Sequence, residues 1–224
     1  MNKFSDFPLA IQWGIAILFS IILLIILDWW GNLIDQSVLA FLPIFIIVPL
    51  LQFLTTPLFR LLKIYTYLSP MLLVFAANKR SLDLHNGTSF DYFFNMKGVK
   101  PGRPWQNKML SFYLEGLLEI IHEIEQKALP ETVIIRGSSY FFSERTAHKL
   151  GFEVIKTSLP EKINIVFNYL DLLWMYSLSK GKLTFPNLKN IKTVKTNGTN
   201  LLSKKQSLLA LKEFIDSRML ILNQ

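Results

Sequence analysis

The side chains that could do chemistry here are few, and their spacing narrows the choice. His85, His122 and His148 stand at no metal-ligand spacing, so no metal centre is expected. His85 precedes Asp91 across the turn Leu84-His85-Asn86-Gly87-Thr88, and a turn histidine beside a carboxylate is a candidate catalytic base. A capped turn would use the same residues structurally. Arg136-Gly137-Ser138-Ser139 follows a run of β-branched residues and could offer amides and a cation to an anionic group. The chain has no cysteine, which excludes disulfides, thiolate metal sites and thiol nucleophiles. Between Asp171 and Glu213 lysines recur without an acid. Lys180, Lys182, Lys189, Lys192 and Lys195 are the expected contacts to a negatively charged membrane leaflet. Nucleic acid is a poorer partner for them, since lysine dominates over arginine and only Phe185 interleaves.

These residues must be positioned by two unlike parts. Of 224 residues 51% are hydrophobic and the mean hydropathy is +0.33, too apolar for a wholly soluble enzyme or a disordered chain. The first sixty residues hold only Lys3 and Arg60 against Asp6, Asp28 and Asp35, so the remainder, with 22 basic and 13 acidic residues, carries the positive charge, +9 of a net +8. That remainder has an ordinary globular composition, which argues against a transporter filling the whole chain. The uncharged runs 8–27 and 38–59 are each long enough to cross a bilayer. Trp13, Trp29 and Trp30 stand where headgroups would lie. The residues after Leu27 are too bulky for a signal-peptidase site. A turn over 31–37 joins the runs into a transmembrane hairpin occupying 1–60. Pro43, Pro49 and Pro57 should kink its second helix. Lys3 on one flank and Arg60, Lys63, Lys79 and Arg80 on the other, with an acidic connection, predict both termini on the cytoplasmic face of the inner membrane. The fourteen residues 64–77 are too short to cross, which predicts an interfacial helical segment over 61–80.

Residues 81–224 are expected to form a cytoplasmic α/β domain with a basic C-terminal part. The pattern predicts a strand over 89–96, an amphipathic helix over 107–128, a strand over 132–135, a short helix capped by Ser143 and a strand over 152–156. Such alternation favours a parallel pair. The stretch 162–167 alternates like a strand, and Ser203 with Gln206 reads as the capping box of a closing helix. The sequons at Asn86 and Asn197 read as Asn-Gly turns.

The stretch Ser143-Glu144-Arg145-Thr146-Ala147-His148-Lys149-Leu150-Gly151-Phe152-Glu153 resembles the helix-plus-Leu-Gly-Phe signature of GNAT-type N-acetyltransferases, a likeness confined to residues 89–157. It implies a GNAT-like framework using an acyl-coenzyme A, with the coenzyme loop upstream of Gly151. There Gln106 fits the family's pattern, Met109 replaces its first glycine, and Ser111 stands where Gly or Ala is usual. Gln106, Lys108, Ser111 and Arg136 are the cofactor-binding candidates on that resemblance. Tyr140 stands where the family often has Asn, and the thiolate-protonating Tyr of other branches falls at Ala147.

Two functions of different class fit. One is a non-catalytic binding or assembly subunit at the inner face of the membrane, with no cofactor. The other is a membrane-tethered acyltransferase. The altered coenzyme loop favours the first. Gln12, Ser20, Gln52, Thr55 and Thr56, polar at membrane depth, predict packing against a second copy or another membrane-protein subunit.

Overall fold

The computed structural model describes residues 4–139, 144–188 and 192–222. Ser143, Tyr140 and Lys189 lie outside them.

Helix α1 (Leu9–Gln36) runs 28 residues, and α2 (Ile44–Leu61) runs 18. Both are long and apolar enough to cross a membrane. The first helix outruns the uncharged stretch by a full two turns, so the connection moves from 31–37 to 37–43. Ser37 begins it, its hydroxyl accepting the Leu39 N–H. Pro43 opens α2 instead of kinking it, because a proline at a helix start loses no hydrogen bond. Only Pro49 and Pro57 lie inside. Around them the Thr55 and Thr56 hydroxyls donate to the Leu51 and Gln52 carbonyls.

Where an interfacial helical segment is expected, the chain folds as a β-hairpin, β1 (Tyr65–Ser69) and β2 (Leu72–Phe75). Lys63, with φ of 57°, ends α2 in the left-handed region and turns the chain into the strand. Pro70 then sits between the strands, where its missing N–H is not needed. Next come β3 (Ser81–Asn86), α3 (Ser89–Asn95), α4 (Arg103–Glu125), β4 (Ile134–Ser139), α5 (Glu144–Lys149) and β5 (Glu153–Ile155). The chain closes with α6 (Leu159–Phe167), α7 (Tyr169–Lys180), β6 (Lys192–Asn197), α8 (Gly198–Ser203) and α9 (Lys205–Leu222).

Three expectations fail for one reason, a local cap. The aromatic run 89–96 is helical because Asp91 accepts the Thr88 N–H at 2.8 Å and because Phe90 and Phe94, one turn apart, stack at 4.9 Å. The alternating stretch 162–167 is α6, opened by Ser158 and Glu161 bonding each other's backbone N–H. The closing helix starts at Lys205, not Ser203, whose hydroxyl turns back to the Asn200 carbonyl at the end of α8. Asn197 caps α8 by accepting the Asn200 N–H, so this sequon is a helix start.

The described strands form a six-stranded sheet in the order β1-β2-β3-β4-β6-β5, in which β3 and β4 are the parallel pair and their neighbours run antiparallel. Helix α4 covers one face with Leu114, Leu117, Ile121 and Ile124, set against Leu72, Leu82, Ile135 and Val194. Gly116 lets it approach: a Cβ there would lie 2.6 Å from Leu72 Cδ2 and 3.3 Å from Leu68 Cβ. On the other face the hydrogen-bonded row Asp83, Arg136, Lys195 and Glu153 crosses four strands. That face carries the hairpin helices and α6. Gly116→Val should lower stability by about 1–3 kcal/mol through overpacking against β2, measured as a loss of melting temperature in detergent. Unchanged melting would mean that α4 does not seat on the β1–β2 hairpin.

Candidate functional site

Pairing between β3 and β4 ends at Leu84 and Gly137, two residues short of either strand's end. From there the strands serve different neighbours: His85 and Asn86 pair with β2, and Ser138 pairs with β6. The wedge between them opens into a cleft of about 290 Å³ on the face away from α4. Its floor is Asp83, His85, Arg136 and Ser138, and its wall is Glu161, Asn164 and Asn168 of the α6–α7 region. Asp171 and Met175 of α7 and Gln52 of α2 complete it. In open α/β sheets ligands sit outside the carboxyl ends of the strands where the connectivity diverges, which is this position.

Arg136 is held from two sides. Its Nε meets Asp83 Oδ1 at 3.2 Å, and a terminal nitrogen lies 3.8 Å from Glu161 Oε1. Partial burial raises the pKa of Glu161, but the Ser158 N–H and hydroxyl, Arg136 and the Thr193 hydroxyl outweigh it and hold the carboxyl below its ordinary value. His85 is surrounded by enough protein that burial lowers its proton affinity, against the opposing pull of Asp83. Its imidazole is a weaker base than a free histidine's. Asp171 takes the Ser89 hydroxyl and the Trp174 indole N–H at 2.8 and 3.0 Å. The Asn168 amide nitrogen donates to Asn164, while its Oδ1 is buried without a partner. The lining thus offers three carboxyl groups against one guanidinium, with an acceptor to spare.

Of the residues singled out in the sequence, His85 and Arg136 share this cleft. Asp91 does not join them. It is 1% exposed and sits at the start of α3, accepting the Thr88 N–H at 2.8 Å, the Thr88 hydroxyl at 3.2 Å and the Tyr67 hydroxyl at 2.9 Å, with Arg60 at 3.8 Å. The His85–Asp91 pair is replaced by a structural carboxylate. Gln106, Lys108 and Ser111 also lie elsewhere, inside α4. Gln106 donates to the Ser179 carbonyl of α7, the Lys108 ammonium lies 4.4 Å from the Phe112 ring centre, and the Ser111 hydroxyl bonds Asp216 of α9 at 2.6 Å. Gln106 and Ser111 thus join α4 to α7 and α9, and Lys108 packs along its own helix. The lysines form no single patch. Lys180 lies 5.1 Å from the Tyr176 ring centre, Lys182 is exposed in the following loop, and Lys192 pairs with Glu144 at 3.1 Å. Lys192 and Lys195, an odd number of residues apart on β6, point to opposite faces of the sheet and cannot lie on one flat surface. Among the described residues no cluster of His, Cys, Asp and Glu could hold a metal ion.

Sequence reasoning missed Asp83, Glu161, Asn164 and Asn168. Asp83 and His85 could have been found as the polar half of Ser81-Leu82-Asp83-Leu84-His85, an alternating strand. The other three become a wall only once α6 is a helix. The chain matches no known family profile, no curated protein and no solved structure.

The buried Asp91 carries a pH signature. Burial raises its pKa to about 6, against the pull of Thr88, Tyr67 and Arg60 toward lower values. The unfolded carboxyl titrates at its ordinary 3.8, so between these values the folded state binds the extra proton. Its contribution is full below the unfolded value and is lost as pH rises through about 6. From pH 7 to pH 4 the protein should gain about 2 kcal/mol relative to Asp91→Asn, measured as the difference in unfolding free energy between the two in detergent. A difference independent of pH would refute the assignment.

Proposed function

We propose that this chain is a membrane-associated, non-catalytic binding subunit whose α/β domain takes a small amine-bearing ligand in the cleft between β3 and β4, with both termini on the cytoplasmic side. The observation that carries the reading is the composition of the cleft. Asp83, Glu161 and Asp171 outnumber Arg136, and the unpartnered Asn168 Oδ1 asks for a donor. A cationic or zwitterionic amine supplies both.

Coenzyme A, which the GNAT resemblance implies, does not fit. Its pyrophosphate needs free amides and little negative charge at a helix start. At the start of α4, where the resemblance places the coenzyme loop, the Gly102 N–H donates to the Leu178 carbonyl and the Gln106 amide donates to the Ser179 carbonyl, so the end of α7 covers the position an anion would need. A second reading, a membrane-tethered GNAT-like acyltransferase, is favoured by two features. One is His85 beside the cleft, a candidate base for an amine. The other is the order β3, α3, α4, β4, α5 and β5, a strand, two helices, a strand, a helix and a strand. A partner, a second copy or another membrane-protein subunit, belongs to either reading.

Calorimetry on the full chain in detergent separates the two. Residues 81–224 alone would lack β1 and β2 and so are not the species to test. Ethanolamine should bind, and Asp83→Asn combined with Glu161→Gln should weaken it at least tenfold, about 1.4 kcal/mol. Acetyl-coenzyme A should give no heat at micromolar concentration. Saturable binding of acetyl-coenzyme A, lost in His85→Ala, would replace the binding-subunit reading with the acyltransferase one.

A further inference from the structure

The two apolar helices do not stand clear of the domain. Helix α2 is docked along nearly its whole length: Phe45 meets Phe167 of α6, Gln52 lines the cleft, and Phe53 packs on Phe90. Thr56 bonds the Thr88 hydroxyl at 2.8 Å, Phe59 packs on Tyr65, and Arg60 reaches Asp91. Helix α1 lies on α2 through Gln12, Ala16, Phe19, Leu23, Ile26 and Trp30, the less exposed positions at three- and four-residue spacing.

These contacts fix how far the hairpin can reach. Phe19 meets Phe53, so in an antiparallel pair Phe45 stands level with Leu27. Only residues 28–36 and the connection extend past the last contact with the domain, about 13 Å at 1.5 Å per residue. A hydrocarbon core is about 30 Å thick. To cross it, the hairpin would have to tear α2 from the domain or draw the charged cleft into lipid, which is costly for Asp83, Arg136 and Glu161.

The exposed surface favours another arrangement. The outward side of α1 is apolar from Leu9 to Leu27, with Ile11 at 49%, Leu18 at 55% and Ile25 at 63% exposure. Beside Phe45, the outward side of α6 repeats the pattern with Leu159, Ile163 and Val166, flanked by the exposed Lys162. If the hairpin crossed the bilayer, this second stripe would be left in water. Trp29, Asp28 and Asp35 end α1 with groups that belong at the interface.

We propose that the α1–α2 hairpin and the outward face of α6 form one surface embedded in a single leaflet, entering and leaving on the side where the α/β domain lies. The occupant is the bilayer itself: apolar residues face acyl chains, and Lys162 can reach back to the headgroups. The hairpin is then monotopic, and the cleft opens beside the membrane surface.

The absence of cysteine makes the test direct. Single variants Ser37→Cys, at the hairpin tip, and Glu119→Cys, exposed on α4, are reconstituted in sealed vesicles and treated with a membrane-impermeant maleimide from either side. Both sites should label from the same side. Protection of Ser37→Cys from both sides supports the proposal equally, because crossing would deliver the tip to water. Labelling of Ser37→Cys only from the side opposite Glu119→Cys overturns it. In the same vesicles a fluorophore on Ile163→Cys should be quenched by acyl-brominated lipid, and absence of quenching overturns the shared surface. Neither readout depends on what the cleft binds.

Discussion

The buried carboxylate of Asp91 is the contact on which the joining of the two parts turns. It draws together α2 through Arg60, β1 through Tyr67 and the start of α3 through Thr88, while the Thr56 hydroxyl completes the cluster from α2. Removing a charge from water costs several kcal/mol, and only dense hydrogen bonding offsets it. Here three donors and a guanidinium surround one side chain. Tyr67 feels the same site from the other direction: burial and the neighbouring carboxylate push its pKa upward, so its hydroxyl stays a donor. The Arg60 guanidinium also lies 4.3 Å from the Tyr67 ring centre, which adds a cation–π contact to the charge pair. An apolar helix thus ends on a polar latch, and the direction in which it leaves the domain is set there.

From that latch the cleft follows by geometry. With α2 fixed over β1, and α6 and α7 over the far half of the sheet, the gap above β3 and β4 remains open. The parallel pair separates beneath it because β3 is held by β2 and β4 by β6, each in its own register. The polar lining is tolerated because Asp83 and Glu161 share the Arg136 guanidinium, because the Ser158 N–H also bonds Glu161, and because Asp171 is bonded by Ser89 and Trp174.

The parts legible in the sequence were those with long uniform periodicity. The two apolar runs and the helix at α4 are each dictated by many residues at once, so single misreadings do not matter. The β1–β2 hairpin was hidden because 64–77 is uncharged throughout and offers no clean alternation to distinguish strand from helix. Phe90, Tyr92, Phe93 and Phe94 resemble a strand by composition, yet the Thr88–Asp91 cap and the one-turn spacing of Phe90 and Phe94 decide for a helix. His85 and Arg136 were legible as site residues because each lies on a polar strand face near a turn. The role of Asp91 was not, since Tyr67 and Arg60 are distant along the chain.

The order in which the sheet is assembled has its own consequence. Strand β6, near the end of the chain, lies between β4 and β5, and β5 supplies only three residues at the sheet's edge. A chain cut short before Lys192 would lose an interior strand, not a marginal one. Its β4 would then present a row of unpaired amides and carbonyls, next to apolar Ile135, to any neighbouring chain.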